Sequence, residues 1–357
     1  MENQAVLLPQ DMLADVLRRL APRDLAISRC VSKAWCTIID ARHLLPADLL
    51  PHWVGGIIIN FNGLMLSEFF SRPSTGPSVS GHLNYLPSTS LVKDHCNGLL
   101  LLDGYVVNPA TRQWAELPPC PSLGLEFFDG EHLVFDPTIS PHYENRAVYW
   151  RGSLYVHLPN QFVMRISLSD NKYQVIKPPQ GRSPLFGAKE LYIGKSKKGV
   201  YCAAVHNLVR VWILDESCGQ LVWVLRHNIS LHVDSDESSR PWTLQDVNYY
   251  EECGEDAKDE AIVPQKFDWD SDSDNLIDPK SMADDESPRY TGILGFHPFK
   301  EVVFLCVVLK RGLAYHLDGS KVQELGNIFP KCYGPSHGIH PFIEESFIYT
   351  PCWMELP

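Results

Sequence analysis

The side chains best equipped for chemistry in this 357-residue sequence are its cysteines, histidines and carboxylates, and their spacing limits what they can do. A thiol or metal site would be sought at adjacent His95 and Cys96, at Cys332 with His337 and His340, and at Cys352. Zinc needs several ligands converging on one point, and no pair here has zinc-finger or zincin spacing. The run DWDSDSDNLID has the carboxylate density of a calcium loop. It lacks the central glycine and the terminal glutamate that an EF-hand requires. No GxSxG elbow, P-loop or GxGxxG follows a strand, and the dispersed carboxylates identify no acid/base pair. The sequence thus predicts no catalytic centre, no metal site and no cofactor.

Charge narrows the partners. The formal net charge is −12, and the stretch 234–289 alone holds 18 Asp/Glu against 5 Lys/Arg. The rest is close to neutral, without the basic footprint of a nucleic-acid binder. The opening MENQAVLLPQD has no basic and apolar leader pattern, so no secretory signal is expected. The most apolar later run, 302–309, is too short to cross a bilayer and reads as a buried strand. Ten cysteines without a CxxC pair suit a reducing compartment, where they act as small buried hydrophobes. Cytoplasm or nucleus is the expected location.

The elements that carry these residues differ along the chain. From Asp11, the residues Leu13, Val16, Leu17 and Leu20 fall at helical spacing on one face, and Pro22 ends that helix. Asp24 can cap a second short helix containing Leu25, and Ser32 a third with Val31, Trp35 and Ile38 at helical spacing. Three helices in so short a stretch bury little surface alone, so part of their apolar stripe is expected to pack on another protein. Beyond residue 50, short runs rich in valine, leucine and aromatics alternate with turn residues. Four segments, 105–119, 162–179, 209–225 and 312–325, read as β-hairpins. With Trp114, Tyr173, Trp223 and Val322 as equivalent positions and the acidic segment set aside, the spacing is about 50 residues, as in propeller blades.

The stretch LLPQDMLADVLRRLAPRDLAISRCVSKAWCTIID closely resembles the F-box motif, through its opening Leu8-Pro9, its leucine-rich first helix and the RCVSKAW block. The segments HCNGLLLL, VVNPATRQWAELPP, FDPTISPHYE, VYWRGSLYVH and LGFHPFKEVVFL, with the closing GNIFPKCYGP and SFIYTPCW, resemble the kelch-like, F-box-associated propeller domain of a large plant family, especially its grass members. The resemblance implies a small all-α F-box over 1–46 and an all-β, propeller-like domain over 51–357, with an acidic flexible insertion at about 234–290. One departure stands out: the family carries a longer stretch between its SPHYE and VYWRG blocks, whereas Glu144 runs directly into Asn145 here. Most of one blade is expected to be missing.

By this resemblance, Leu8, Pro9, Leu13, Val16, Leu17, Leu20, Leu25 and Val31 meet a Skp-type adaptor, and Trp35 anchors the core of the module. The implied function is that of a non-catalytic substrate receptor. It docks on an SCF-type (Skp–cullin–F-box) ubiquitin ligase and presents a protein client for ubiquitination and proteasomal degradation. A ligase-independent module binding proteins or glycans is the alternative. The acidic segment is expected to be a solvated loop. A sharper reading is recruitment of a basic partner, tuned by phosphorylation at Ser271 or Ser273.

Overall fold

Three of the most apolar runs in the sequence, GIIINF, GVYCAAV and VVFLCV, show almost no polar alternation. That is the pattern of a strand covered on both faces. A computed structural model describes residues 10–20, 28, 33–42, 44, 53–74, 79–117, 147–158, 162–167, 172–179, 191–205, 208–217, 220–231, 241–249, 269–270, 276, 291–331, 333, 341–353 and 356, and it explains why.

In chain order the strands begin with β1 (Gly56–Phe61) and β2 (Glu68–Ser71). Then come β3 (Asp94–Cys96), β4 (Leu99–Leu102), β5 (Tyr105–Asn108) and β6 (Gln113–Glu116). Next are β7 (Ala147–Trp150), β8 (Ser153–His157), β9 (Val163–Ser167) and β10 (Tyr173–Ile176). They are followed by β11 (Tyr192–Ser196), β12 (Gly199–Val205), β13 (Val209–Asp215), β14 (Val222–Ile229) and the short β15 (Thr243–Leu244). The chain closes with β16 (Thr291–Phe296), β17 (Val302–Val307), β18 (Arg311–His316), β19 (Lys321–Asn327) and β20 (Ile343–Tyr349). All pair antiparallel in five four-stranded sheets: β3–β6, β7–β10, β11–β14, β16–β19, and one in the order β15, β2, β1, β20. Four pairs of neighbouring sheets touch through their edge strands, β16 against β20, β20 against β3, and β11 against both β7 and β16. This is a five-bladed, propeller-like arrangement in which the last strand pairs with the first inside one blade.

Packing between blades accounts for the doubly apolar strands. On β1, Ile57 and Ile59 join Leu294 and Phe304 of the fifth blade, while Ile58 turns to Leu100 and Val107 of the second. On β17, Phe304 and Cys306 face the first blade, and Val303 and Leu305 face Val209 and Val211 of the fourth. On β12, Tyr201 and Ala203 face the fifth blade, and Cys202 and Ala204 pack with Tyr155 of the third. Period-two alternation therefore divides side chains between two neighbours rather than between core and water. Phenol to carboxylate hydrogen bonds stitch the same seams, Tyr155 to Glu216 and Tyr201 to Glu301. The run 302–309 forms the buried strand expected of it, as β17.

The four hairpins read from the sequence are the outer pairs of blades two to five: β5–β6, β9–β10, β13–β14 and β18–β19. Their marker residues are not equally buried. Trp223 and Val322 are in the core, whereas Trp114 and Tyr173 are 37% and 73% exposed on the outermost strands. The Asn-Gly of HCNGLLLL also has a structural reason. Asn97 and Gly98 form the two-residue link between β3 and β4 with φ of 46° and 87°, the left-handed pair that a tight hairpin needs. A Cβ on Gly98 would lie 2.5 Å from the Thr350 carbonyl oxygen.

Each of the five sheets has four strands, and the junction at Glu144 lies outside the described residues. The segment expected to be a solvated loop departs from that expectation at 241–249 and 269–270. Here β15 supplies the fourth strand of the first blade, pairing Thr243 with Ser71 and Leu244 with Phe70. Trp242 is buried against Phe70, Phe304 and Trp269, and its backbone N–H donates to the Leu325 carbonyl of the fifth blade at 2.8 Å. Arg72 lies over the rings of Trp53 and Trp269 and donates to the Trp269 carbonyl. Trp242 and Trp269 thus hold 241–249 and 269–270 against the seam between blades five and one.

Candidate functional site

Two places in the molecule are built for contact. The first is the N-terminal module, in which α1 (Gln10–Leu17) packs against α2 (Lys33–Ala41). Leu13, Ala14 and Leu17 on α1 and Ile38 and Ile39 on α2 form a small core of their own, with Leu20, Trp35 and Leu44 partly buried at its edge. The small Ala14 lies on the packed face of α1, where a compact side chain brings two helices close. Arg42 ties the end of α2 to Asp11 at the start of α1. Pro22 lies outside the described residues, but the α-helical span of α1 ends at Leu17, and Leu20 N–H donates to Leu17 O at 3.1 Å in a tighter last turn.

The structure divides the residues expected on one apolar stripe. Leu13 and Leu17 point into the module, Leu20 is half-buried, and Val16 is 50% exposed. Its neighbour in the preceding turn, Met12, is 57% exposed. The buried face centres on Leu17, between Leu13 and Ala14, which leaves Val16 and Met12 on the adjoining, open side. Trp35 borders the core rather than filling it. Leu8, Pro9, Leu25 and Val31 lie outside the described residues.

The second place is the axis of the propeller, a cavity of about 1210 Å³ lined by the first strands of the blades. Its two ends differ. At the end where these strands begin, the lining includes Lys93, Asp94, Asp103, Glu344 and Glu345, and Lys93 pairs with Asp103. Lys195 lines the cavity further along, one residue before Ser196, whose hydroxyl donates to the His297 carbonyl at the far end. His95 stands between them, its ring edge-on to Phe347 at 5.5 Å. Burial pushes the His95 imidazole below its usual pKa; neighbouring Asp94 opposes this and Lys195 adds to it. A neutral imidazole is therefore favoured there.

Among the described residues no cluster of three or more His, Cys, Asp or Glu is arranged to hold a metal ion. Cys96, Cys202, Cys306 and Cys352 are not disulfide-bonded, the last three are buried, and Cys332, His337 and His340 lie outside the described residues. Sequence reasoning did not find the channel, because its residues come from five separate strand starts and share no local motif. Nor did it single out Met12, which helical spacing places beside Val16.

Residues 6–46 match the F-box domain family. F-box only protein 8 of Arabidopsis thaliana is 26% identical over 129 residues, covering 31% of this chain and 42% of that protein. F-box protein At3g07870 of Arabidopsis thaliana is 28% identical over 165 residues, covering 41% of this chain and 38% of that protein. The chain spans about two fifths of the length of these curated relatives. The class defined by these observations is an F-box domain followed by a five-bladed, propeller-like β domain.

Proposed function

We propose that this chain is the substrate-recognition subunit of an SCF-type ubiquitin ligase. Its F-box binds a Skp-type adaptor and through it a cullin scaffold, and its kelch-like propeller binds the protein to be ubiquitinated. The chain performs no bond-making step itself. It raises the effective concentration of a client beside a separately held conjugating enzyme, so its contribution is proximity and orientation. In this reading it works in the cytoplasm or nucleus.

The observation that carries the proposal is the F-box match over 6–46, supported by the open apolar side of α1 at Met12 and Val16. Docking removes such side chains from water, each contributing about 1.5–3 kcal/mol when fully buried. Leu8, Pro9, Leu20, Leu25 and Val31 are proposed to extend this contact, while Leu13 and Leu17 shape the helix that presents it. The test is affinity purification of the tagged full chain, wild type beside a Met12→Asp, Val16→Asp variant. Adaptor and cullin peptides should accompany the wild type and be lost from the variant. Equal recovery of adaptor by both would overturn the reading.

A further inference from the structure

On the receptor reading above, we propose that the channel mouth where the inner strands begin takes a cationic, hydrophobic stretch of a client protein, lysine or arginine beside a bulky apolar side chain. The residues of this mouth are brought together by hydrogen bonds between distant parts of the chain. Asn62 N–H donates to the Phe342 carbonyl at 3.1 Å, and Asn60 Nδ2 donates to the Val92 carbonyl at 2.8 Å. Val92 N–H in turn donates to Ser67 Oγ at 2.8 Å. The turn between β1 and β2, the start of β3 and the start of β20 therefore share one end of the channel.

That end combines two properties. It holds exposed apolar surface, since Met65 is 80% exposed and Phe342 42% exposed, and both line the cavity. Its charge is negative on balance: among the described lining residues Asp94, Asp103, Glu344 and Glu345 outnumber Lys93, which pairs with Asp103, and Lys195 deeper in the channel. A cleft with apolar walls and a surplus of carboxylates focuses a negative potential outward and attracts cations. It repels phosphate backbones and acidic peptides. The cavity exceeds the usual 300–1,000 Å³ of small-molecule sites, which fits an extended peptide better than a metabolite. The chain from the N-terminal module joins β1 at the opposite end, where Gly55 N–H donates to the Tyr349 carbonyl at 2.8 Å, so the acidic mouth opens away from that junction.

The experiment uses the purified full chain and fluorescence anisotropy with two labelled decapeptides. One alternates lysine with leucine around a central phenylalanine, and the other has glutamate in place of each lysine. The lysine peptide should bind saturably, at least about ten-fold tighter than its glutamate counterpart, and weaken as salt rises. Glu344→Lys, and separately Met65→Ser with Phe342→Ser, change exposed positions and should each weaken that binding at an unchanged melting temperature. Equal affinity for both peptides overturns the proposal, as does absence of binding or indifference to the variants. Adaptor recovery is scored on the same preparations. Retained adaptor without peptide preference refutes the mouth alone, whereas peptide binding without adaptor refutes the receptor reading and leaves the mouth standing.

Discussion

The buried Glu68 carboxylate accepts both the backbone N–H of Asn248, at 3.1 Å, and its side-chain amide, at 2.8 Å. Val247 N–H adds a third bond at 2.6 Å, and Asn248 also exchanges hydrogen bonds with the backbone of Leu66. One fully buried charge thereby fastens the segment after β15 to the first blade.

Glu68→Ala leaves three donors unsatisfied in the interior and is expected to cost about 1–3 kcal/mol, read as a lower denaturation midpoint. Burial raises the Glu68 pKa, with the three hydrogen bonds pulling the other way. A raised folded-state pKa means that folding takes up a proton. The associated stability is present below the ordinary value of 4.5 and is lost as pH rises through the folded value. In denaturant melts between pH 4 and 7, the stability of the wild type relative to Glu68→Gln should therefore rise as pH falls and decline as pH rises.

Trp242→Ala should destabilise the propeller by about 3–5 kcal/mol, because the side chain fills the seam between Phe70 and Phe304. Replacing Phe342, exposed at the rim, by serine is the matched control and should stay within about 0.5 kcal/mol. Comparable losses from both would contradict the assignment of 241–249 to the core.

Leu17→Ala and Val16→Asp should separate folding of the N-terminal module from its docking. Leu17 is inaccessible, so its truncation is expected to cost about 2–5 kcal/mol and to open the module to limited proteolysis. Val16→Asp should leave proteolysis unchanged and reduce adaptor recovery. The reverse pattern would place the contact face on the wrong side of α1.

Burial pushes both His95 and His227 below the ordinary histidine value of 6.5. A base whose folded pKa is lowered takes up protons more readily when unfolded, so stability should fall as pH drops below about 6.5. Melting temperatures from pH 7.5 to 5.5 should decline for the wild type and decline less for a His95→Asn, His227→Asn variant.

The Tyr155 hydroxyl is pushed up to about 12 by burial and by its bond to Glu216. Stability from this phenol is present below 10 and lost as pH rises toward 12. Tyr155→Phe should remove part of the alkaline loss measured between those limits.

Local patterns made much of the fold legible. The hairpin at 209–225 was readable because VRVWIL and LVWVL flank a polar turn, and HCNG because Asn-Gly encodes a single kind of link. The place of 241–249 was not readable. A two-residue strand has no periodicity, and its partner, β2, lies more than 170 residues earlier. Charge density around Trp269 points to solvent, yet its indole packs edge-on to Trp242 at 5.2 Å and Arg72 lies over its ring and binds its carbonyl. On α1 the helical spacing puts Leu13, Val16, Leu17 and Leu20 on one stripe but does not give their division between core and open side. Whether Val16 faces in or out depends on the angle at which α2 crosses, and that is a tertiary fact.

The pairing of β1 with β20 has a consequence for synthesis. Gly56 through Phe61 are buried, and their partner strand β20 begins at Ile343, far along the chain. During translation the segment GIIINF waits, with one edge unpaired, until β20 has also left the ribosome. A nascent chain in that state exposes an apolar strand edge, the surface that chaperones shield and that aggregation exploits. Deletion of β20 would leave it in that state permanently.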